Sequence, residues 1–276
     1  MDRVETGNFA ATRIHAEQPQ SIRVVSWNVN RGCNLKEIVD YLESSNGDLI
    51  LLQETDLNAR RSGFRNIAKE VAEKLRMDYV FGREFQELSQ GTPSAPTYHG
   101  QATLSRWPLS QGRVLRFRSQ SGFWRPRWYI PPLSAFQRRL GGRIALVCEA
   151  LIGGVRLVTY NVHLESRGND QLRLQQLREV LEDARQLREH VPALIAGDFN
   201  FDLRCSAVTE LLSGLRFENP FHSANGNLIT ARTRFGRGLS IDFILTRDLP
   251  VPQNSSIVNV VTASDHFPLT LTVQLN

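Results

Sequence analysis

The sequence predicts an α/β fold built on two β-sheets, with one polar site at the rim where the strands end. Three observations lead there. Short β-branched or leucine-rich apolar runs recur from Ile22 to Leu275, the pattern of strands buried on both faces. Helical periodicity separates only some of these runs, so helix-connected strands mix with hairpin-like segments. Five of the runs close on polar clusters: SWNVNRG from Ser26, LILLQETD from Leu49, LVTYNVHLES from Leu157, ALIAGDFNFD from Ala193, and SIDFILTRD with SDHFPL between Ser240 and Leu269.

In chain order, strands are expected at 22–27 (IRVVSW), 48–53 (DLILLQ), 79–82 (YVFG), 101–105 (QATLS), 113–118 (RVLRFR), 143–150 (RIALVCEA), 156–162 (RLVTYNV), 193–197 (ALIAG), 240–246 (SIDFILT), 256–261 (SIVNVV) and 268–274 (PLTLTVQ). Helices are expected at 35–43, at 64–76 with Ile67, Val71 and Leu75 in helical spacing, and at 170–189. The last has a continuous apolar stripe through Leu174, Leu177, Val180, Leu181, Ala184 and Leu187. The segment ESRGND before it offers a capping Asn or Asp, with Arg167 and Arg173 beside the helix start. Such a terminus either holds a phosphate or is an ordinary cap with surface charges. Neither a Walker pattern nor GxGxxG occurs, which counts against an NTPase or a dinucleotide enzyme.

The 276 residues read as a mobile tail over 1–20 and one domain over 21–276. No apolar stretch has signal-peptide length or approaches the roughly 18 residues of a membrane span. A soluble, cytoplasmic chain is therefore expected, a monomer by default. Cys33, Cys148 and Cys205 form neither a closed disulfide set nor a metal-ligand spacing. The net charge of +5 is compatible with anionic partners without identifying one. Its distribution says more. Arg113, Arg116, Arg118, Arg125, Arg127, Arg138, Arg139 and Arg143 follow one another without an acid, interleaved with Phe117, Phe123, Trp124, Trp128, Tyr129 and Phe136. Arginine with aromatics suits a phosphate backbone and stacked bases, so Arg125 and Trp128 are candidate substrate contacts. The alternative is a long hairpin connection whose aromatics pack on the sheet.

Side chains two apart leave a strand on one face. That pairs Asn28 with Asn30, Glu54 with Asp56, Asn161 with His163, and Asp198 with Asn200. Phosphoester hydrolysis needs a hard cation on the phosphoryl oxygens, an activated water and a stabilised leaving group. Glu54 is the best metal candidate, with Asn28, Asn30 and Asp265 available to complete the shell, since magnesium keeps several waters. Asp198 can deprotonate water beside the Asn200 amide. His266 can donate to the phosphoryl group, with Asp242 as its acid partner and His163 as a second contact. Each residue alone has a plainer reading: a turn cap, a solvated strand end, a core histidine. Their recurrence at five strand ends, in the types one mechanism wants, is what favours a site.

The series SWNVN, LLQE, YNVHLES, GDFN, SIDFIL and SDHFPL resembles the endonuclease/exonuclease/phosphatase superfamily, in that superfamily's order, over nearly the whole chain. The resemblance implies a four-layer α/β sandwich, two packed mixed β-sheets flanked by helices, and a Mg2+- or Mn2+-dependent phosphohydrolase using activated water. Carried over, it makes Glu54 the principal metal ligand with Asp265 nearby and Asn28 assisting at the phosphate. Asp198 becomes the water-activating carboxylate, Asn200 the phosphoryl-binding amide, and His266 the group held by Asp242. HLESRG is similar to tyrosyl-DNA phosphodiesterases and some sphingomyelinase-like members. Many members have an acid where Asn30 stands, so metal affinity or the number of ions is open. In YHGQATLSRWPL, His99 and Gln101 are further residues facing the site. With Asn161, Arg167, Arg173, Arg125 and Trp128, His99 makes up the candidate substrate-binding set. Nucleic acid or a nucleic-acid adduct is the leading substrate. A phospholipid or soluble phosphomonoester, and a binding protein on a degenerate nuclease scaffold, are the alternatives.

Overall fold

The structure is a computed structural model that describes residues 2–10, 19–92, 94–124, 138–221, 228–250, 252 and 254–275. In chain order the elements are β1 (Val4–Gly7), β2 (Ser21–Arg31), α1 (Leu35–Ser45), β3 (Leu49–Leu57), α2 (Ile67–Leu75), β4 (Asp78–Glu87), β5 (Tyr98–Ser105) and β6 (Leu109–Arg116). There follow β7 (Arg139–Gly141), β8 (Ile144–Ile152), β9 (Val155–His163), α3 (Asp170–Arg185), β10 (Ala193–Asp198) and α4 (Ser206–Ser213). The chain closes with β11 (Ala231–Arg232), β12 (Gly238–Leu239), β13 (Asp242–Arg247), β14 (Asn254–Ile257) and β15 (Leu269–Gln274).

One sheet runs β1-β4-β5-β3-β2-β15-β14, with β7 added on β4; the other runs β13-β10-β9-β8-β6. Alternation along the strands sets the layers. On β2, Ile22 and Val24 pack with Leu157, Leu194, Ala196 and Ile244 of the facing sheet. Val25, Trp27 and Val29 turn the other way onto Ile38, Leu42, Ile67 and Val71 of α1 and α2. In the second sheet Val158, Tyr160 and Ile195 face Leu177, Val180 and Leu181 of α3 and Val208 of α4. The result is the expected α/β sandwich of four layers, helices outside and two mixed sheets inside.

At the centre of the second sheet, parallel β9 and β10 approach closely at Gly197, whose φ is +144° and whose added Cβ would lie 2.0 Å from the Val162 carbonyl oxygen. Only glycine fits there.

Three local expectations change. The stretch expected as a mobile tail contains β1, paired antiparallel with β4 and tied down where Tyr79 Oη and Asn66 Nδ2 donate to Glu5 Oε1 at 2.8 and 2.6 Å. Four residues are too few to show a period. The strand expected at 256–261 is β14, displaced toward the N-terminus. The helix α4 and the hairpin β11–β12 were not expected, being too short for a pattern to register. Arg125 and Trp128 lie outside the described residues. Among the described residues no helix is long and apolar enough to cross a membrane.

Candidate active site

Strands β2 and β3 run parallel, as do β9 and β10, so their C-terminal ends gather polar side chains between the sheets. Strand β13 is antiparallel to β10, which sets Asp242 at its start directly opposite Asp198 at the end of β10. Asn28, on the inward parity of β2, donates from Nδ2 to Asp198 Oδ2 at 3.1 Å and so links the two sheets. His266 comes from the turn before β15. Its carbonyl accepts from Trp27 Nε1 at 2.9 Å, and its N–H donates to Ser264 Oγ, which itself donates to the Asn28 carbonyl.

His266 Nδ1 lies 3.0 Å from both oxygens of Asp242, and Nε2 lies 3.8 Å from Asp198 Oδ2. Burial works against a proton on the imidazole, yet Asp242 and Asp198 outweigh it and raise its pKa to about 10. Burial, with Asp198 adding to it, pushes Asp242 up to about 6 against the pull of His266. Between those values the pair is an imidazolium on a carboxylate. Thr230 Oγ1 donates to Asp242 Oδ2 at 2.8 Å and fixes the carboxylate from behind. The group Asp198, Asp242 and His266 thus carries its own cation.

Glu54 reaches the site by breaking the strand rule. Leu49, Leu51 and Gln53 face inward, which would turn Glu54 toward the helices. Instead its φ is +55° and the β3–β5 register shifts between Leu52 and Thr55. That irregularity swings the carboxylate to within 4.8 Å of ligand atoms of His99 and His163. Burial disfavours its charge, but His99, His163, Arg31 and Arg143 hold its pKa down to about 2. The nearest cation, Arg31 Nε, is 4.0 Å away. An ionised carboxylate with no close partner among the described residues fits a divalent cation carrying several waters. His163 fits that role less well, because Arg143 Nη1 sits 2.8 and 2.9 Å from its ring nitrogens. A cation would displace or oppose that guanidinium.

Sequence reasoning missed the network behind His163. Arg143 is buried and pairs with the fully buried Glu84 at 2.6 Å, and its Nη2 donates to Ser166 Oγ. Against burial, Arg143 and His163 lower Glu84 to about 2. Glu165, also fully buried, accepts from Trp124 Nε1 at 2.7 Å and pins the start of the basic, aromatic stretch to the site. A charged residue inside FGREF was the available signal for Glu84; nothing local signals its partner.

The remaining candidates divide. His99 is buried beside Glu54, its Nδ1 2.7 Å from Asp56 Oδ1, with Arg61 forked onto the same carboxylate at 2.6 and 2.8 Å. Asp56 is thus a buried partner of His99 and Arg61 rather than a solvated strand end. Asn200, at φ +56°, donates from its backbone to Asp198 Oδ1 and from Nδ2 to the Leu164 carbonyl, leaving one amide N–H free among the described residues. Asn30 Oδ1 accepts from Arg31 Nη1 at 2.7 Å, a cation where a metal ligand was expected. Asp265 is exposed at the rim. Asn161 shares the inward face with His163 but lies one step deeper: it donates to the Leu52 and Ala102 carbonyls of the other sheet and accepts from Gln53 Nε2. It is fully buried and not brought to the site. Gln101 is also buried between the sheets, donating to the Ile144 carbonyl. Arg173 is committed to the Glu165 carbonyl and Asp170, while Asn169 caps α3, so this helix start is an ordinary cap. Arg167 is exposed and lies 4.4 Å over the Phe123 ring.

Comparisons agree with this fold. The structure resembles that of an endonuclease/exonuclease/phosphatase from Beutenbergia cavernae DSM 12333, with a TM-score of 0.68 and 17% identity over 94% of this chain and 72% of that one. It also resembles a humanized D. rerio TDP2 (0.63, 20%, 93% and 100%) and a truncated Caenorhabditis elegans TDP2 (0.62, 16%, 92% and 98%). A search of curated proteins finds no match. The sequence model of the Endonuclease/Exonuclease/phosphatase family matches residues 25–266. That span takes in every strand end described above, and the chain belongs to this family, whose general class is the phosphoesterase or nuclease-type hydrolase.

Proposed function

We propose that the chain is a divalent-metal-dependent phosphodiesterase acting on nucleic acid or a nucleic-acid adduct. The observation that carries the reading is the His266–Asp242 pair set against Asp198, with the ionised Glu54 in the same inter-sheet cleft. A magnesium or manganese ion held by Glu54, with Asp265 nearby, would neutralise charge on the phosphoryl oxygens. The chain's own residues do the rest. Asp198, oriented by Asn28 and the Asn200 N–H, accepts the proton of the attacking water. The free amide N–H of Asn200 and the protonated His266 meet the phosphoryl oxygens as negative charge grows there. His163, backed by Arg143 and beside Asp198 on the neighbouring strand, offers a second contact.

The test is hydrolysis of a small panel with magnesium, manganese or chelator: bis-p-nitrophenyl phosphate, single- and double-stranded DNA, a 5′-tyrosyl oligonucleotide, sphingomyelin and an inositol phosphate. Metal-dependent turnover of a nucleic-acid member, reduced on the order of 10³-fold in Asp198→Asn, is the expected result. Full activity in Asp198→Asn or Glu54→Ala would sink the assignment, and turnover confined to the lipid or the inositol phosphate would move the substrate class.

A further inference from the structure

In the described part of the arginine-rich stretch, five of the arginines are paired with acids. Arg113 pairs with Asp183, Arg116 with Asp2, Arg118 with Glu179 and Glu182, Arg139 with Glu87, and Arg143 with Glu84. Arginines without an acidic partner among the described residues stand on the hairpin β11–β12, where Arg232 lies 5.1 Å over the Phe267 ring. Its sequence from Ala231 to Leu239 is ARTRFGRGL, without an acid. Arg232, Arg234 and Arg237 are exposed and form no ion pair among the described residues. Between Arg234 and Arg237 stands Phe235, 94% exposed, the most exposed large apolar side chain described.

This exposure is built in. Thr233 accepts from the Gly236 N–H at 2.8 Å and donates to the Arg237 carbonyl at 2.9 Å, and Gly236 has φ +78°. That is a three-residue hairpin loop closed by a glycine bulge. Its central residues are Arg234 and Phe235, which a tight turn points into solvent. The base of the hairpin belongs to the candidate active site. Ala231 bridges His266, the Arg232 N–H donates to the Asp265 carbonyl at 2.8 Å, and Thr230 holds Asp242. The tip lies about 10 Å of extended chain from the His266 bridge.

We infer that this hairpin binds the single-stranded nucleic-acid substrate beside its scissile phosphate, with Phe235 stacking on a base and Arg234 and Arg237 on flanking phosphates. The inference rests on the proposed phosphodiesterase reading and adds how the substrate is held. Guanidinium groups alternating with an aromatic face are what a single strand requires. A second such face, Phe123 under Arg167, stands near Glu165. A membrane would want a contiguous apolar patch, whereas Phe235 is flanked by arginine and glycine.

The test is fluorescence anisotropy of a labelled 15-mer oligothymidylate on the full-length chain in chelator, so that binding is read without turnover. Phe235→Ala is expected to weaken binding by about 5- to 100-fold. Arg234→Gln/Arg237→Gln is expected to make log K against log salt shallower by about 1.4. Unchanged melting midpoints check that the variants fold. Wild-type affinity and slope in both variants would overturn the inference. So would a wild-type chain that binds phosphatidylserine vesicles but not the oligonucleotide. The two readings fail separately: wild-type hydrolysis of bis-p-nitrophenyl phosphate reports on the chemistry whether or not the hairpin binds.

Discussion

Replacing Arg143 with methionine tests the electrostatics of the cleft wall. Glu84 is fully buried and Arg143 nearly so. Burial alone would raise Glu84, but Arg143 and His163 bring it from 4.5 to about 2. A carboxyl lowered that far contributes on the order of 3 kcal/mol above pH 4.5. The sign is that of a depressed acid: the contribution is complete above the unfolded pKa and is lost as pH falls through 2. Removing the guanidinium leaves Glu84 buried with only the histidines for company, so its pKa rises above 4.5 and the sign reverses. Arg143→Met should therefore cost about 3–5 kcal/mol at pH 7.5. The cost should shrink toward pH 5 as Glu84 takes up a proton. Urea unfolding followed by tryptophan fluorescence at both pH values measures this. Glu84→Gln/Arg143→Met should recover part of the loss at pH 7.5. A cost below about 1 kcal/mol at pH 7.5, or one that does not diminish at pH 5, refutes the argument.

Other outcomes follow from the same geometry. In Asp242→Asn, His266 loses the partner that raises its pKa to about 10, so the alkaline limb of the pH–rate profile should move down by a unit or more; an unmoved limb means His266 is not the titrating group. Glu54→Gln should weaken Mn2+ binding, read by electron paramagnetic resonance, at least 10-fold; equal affinity places the ion elsewhere. Asn161→Leu removes its bonds to the Leu52 and Ala102 carbonyls and one acceptor of Gln53 Nε2, which keeps the Leu51 carbonyl, and should cost about 2–4 kcal/mol in urea unfolding. A loss below 1 kcal/mol would mean that the sheets do not depend on that bond network.

What the chain discloses in advance is set by the range of the physics. Alternation is local, so the strands, their buried faces and the residues at their ends could be read directly. Asn28, His163, Asp198 and Asp242 stand where parity puts them. The same rule misplaced Asn161 because parity gives the face and not the depth: two residues nearer the core, the side chain meets backbone carbonyls instead of substrate. It also failed to predict how Glu54 arrives, since a left-handed residue at a register shift has no alternating pattern. Charge was the least legible. The run of arginines from Arg113 is largely neutralised by acids about 60–70 residues away, such as Asp183 and Glu179. Arg232, Arg234 and Arg237, which form no ion pair among the described residues, sit on a hairpin too short to show a period.

The hydrogen bond from Asn28 to Asp198 and the contact of His266 with Asp242 both cross from one sheet to the other. Neither sheet holds a complete set of working groups. The cleft therefore acts as a gauge of how the two halves of the sandwich are aligned. A slip of about 1 Å between them would part donors from acceptors while leaving each sheet's own ladder of hydrogen bonds intact. Activity should then vanish under mild denaturant or pressure before secondary structure does. Whatever grips both halves at once, a long substrate included, would tighten the catalytic geometry simply by opposing that shear.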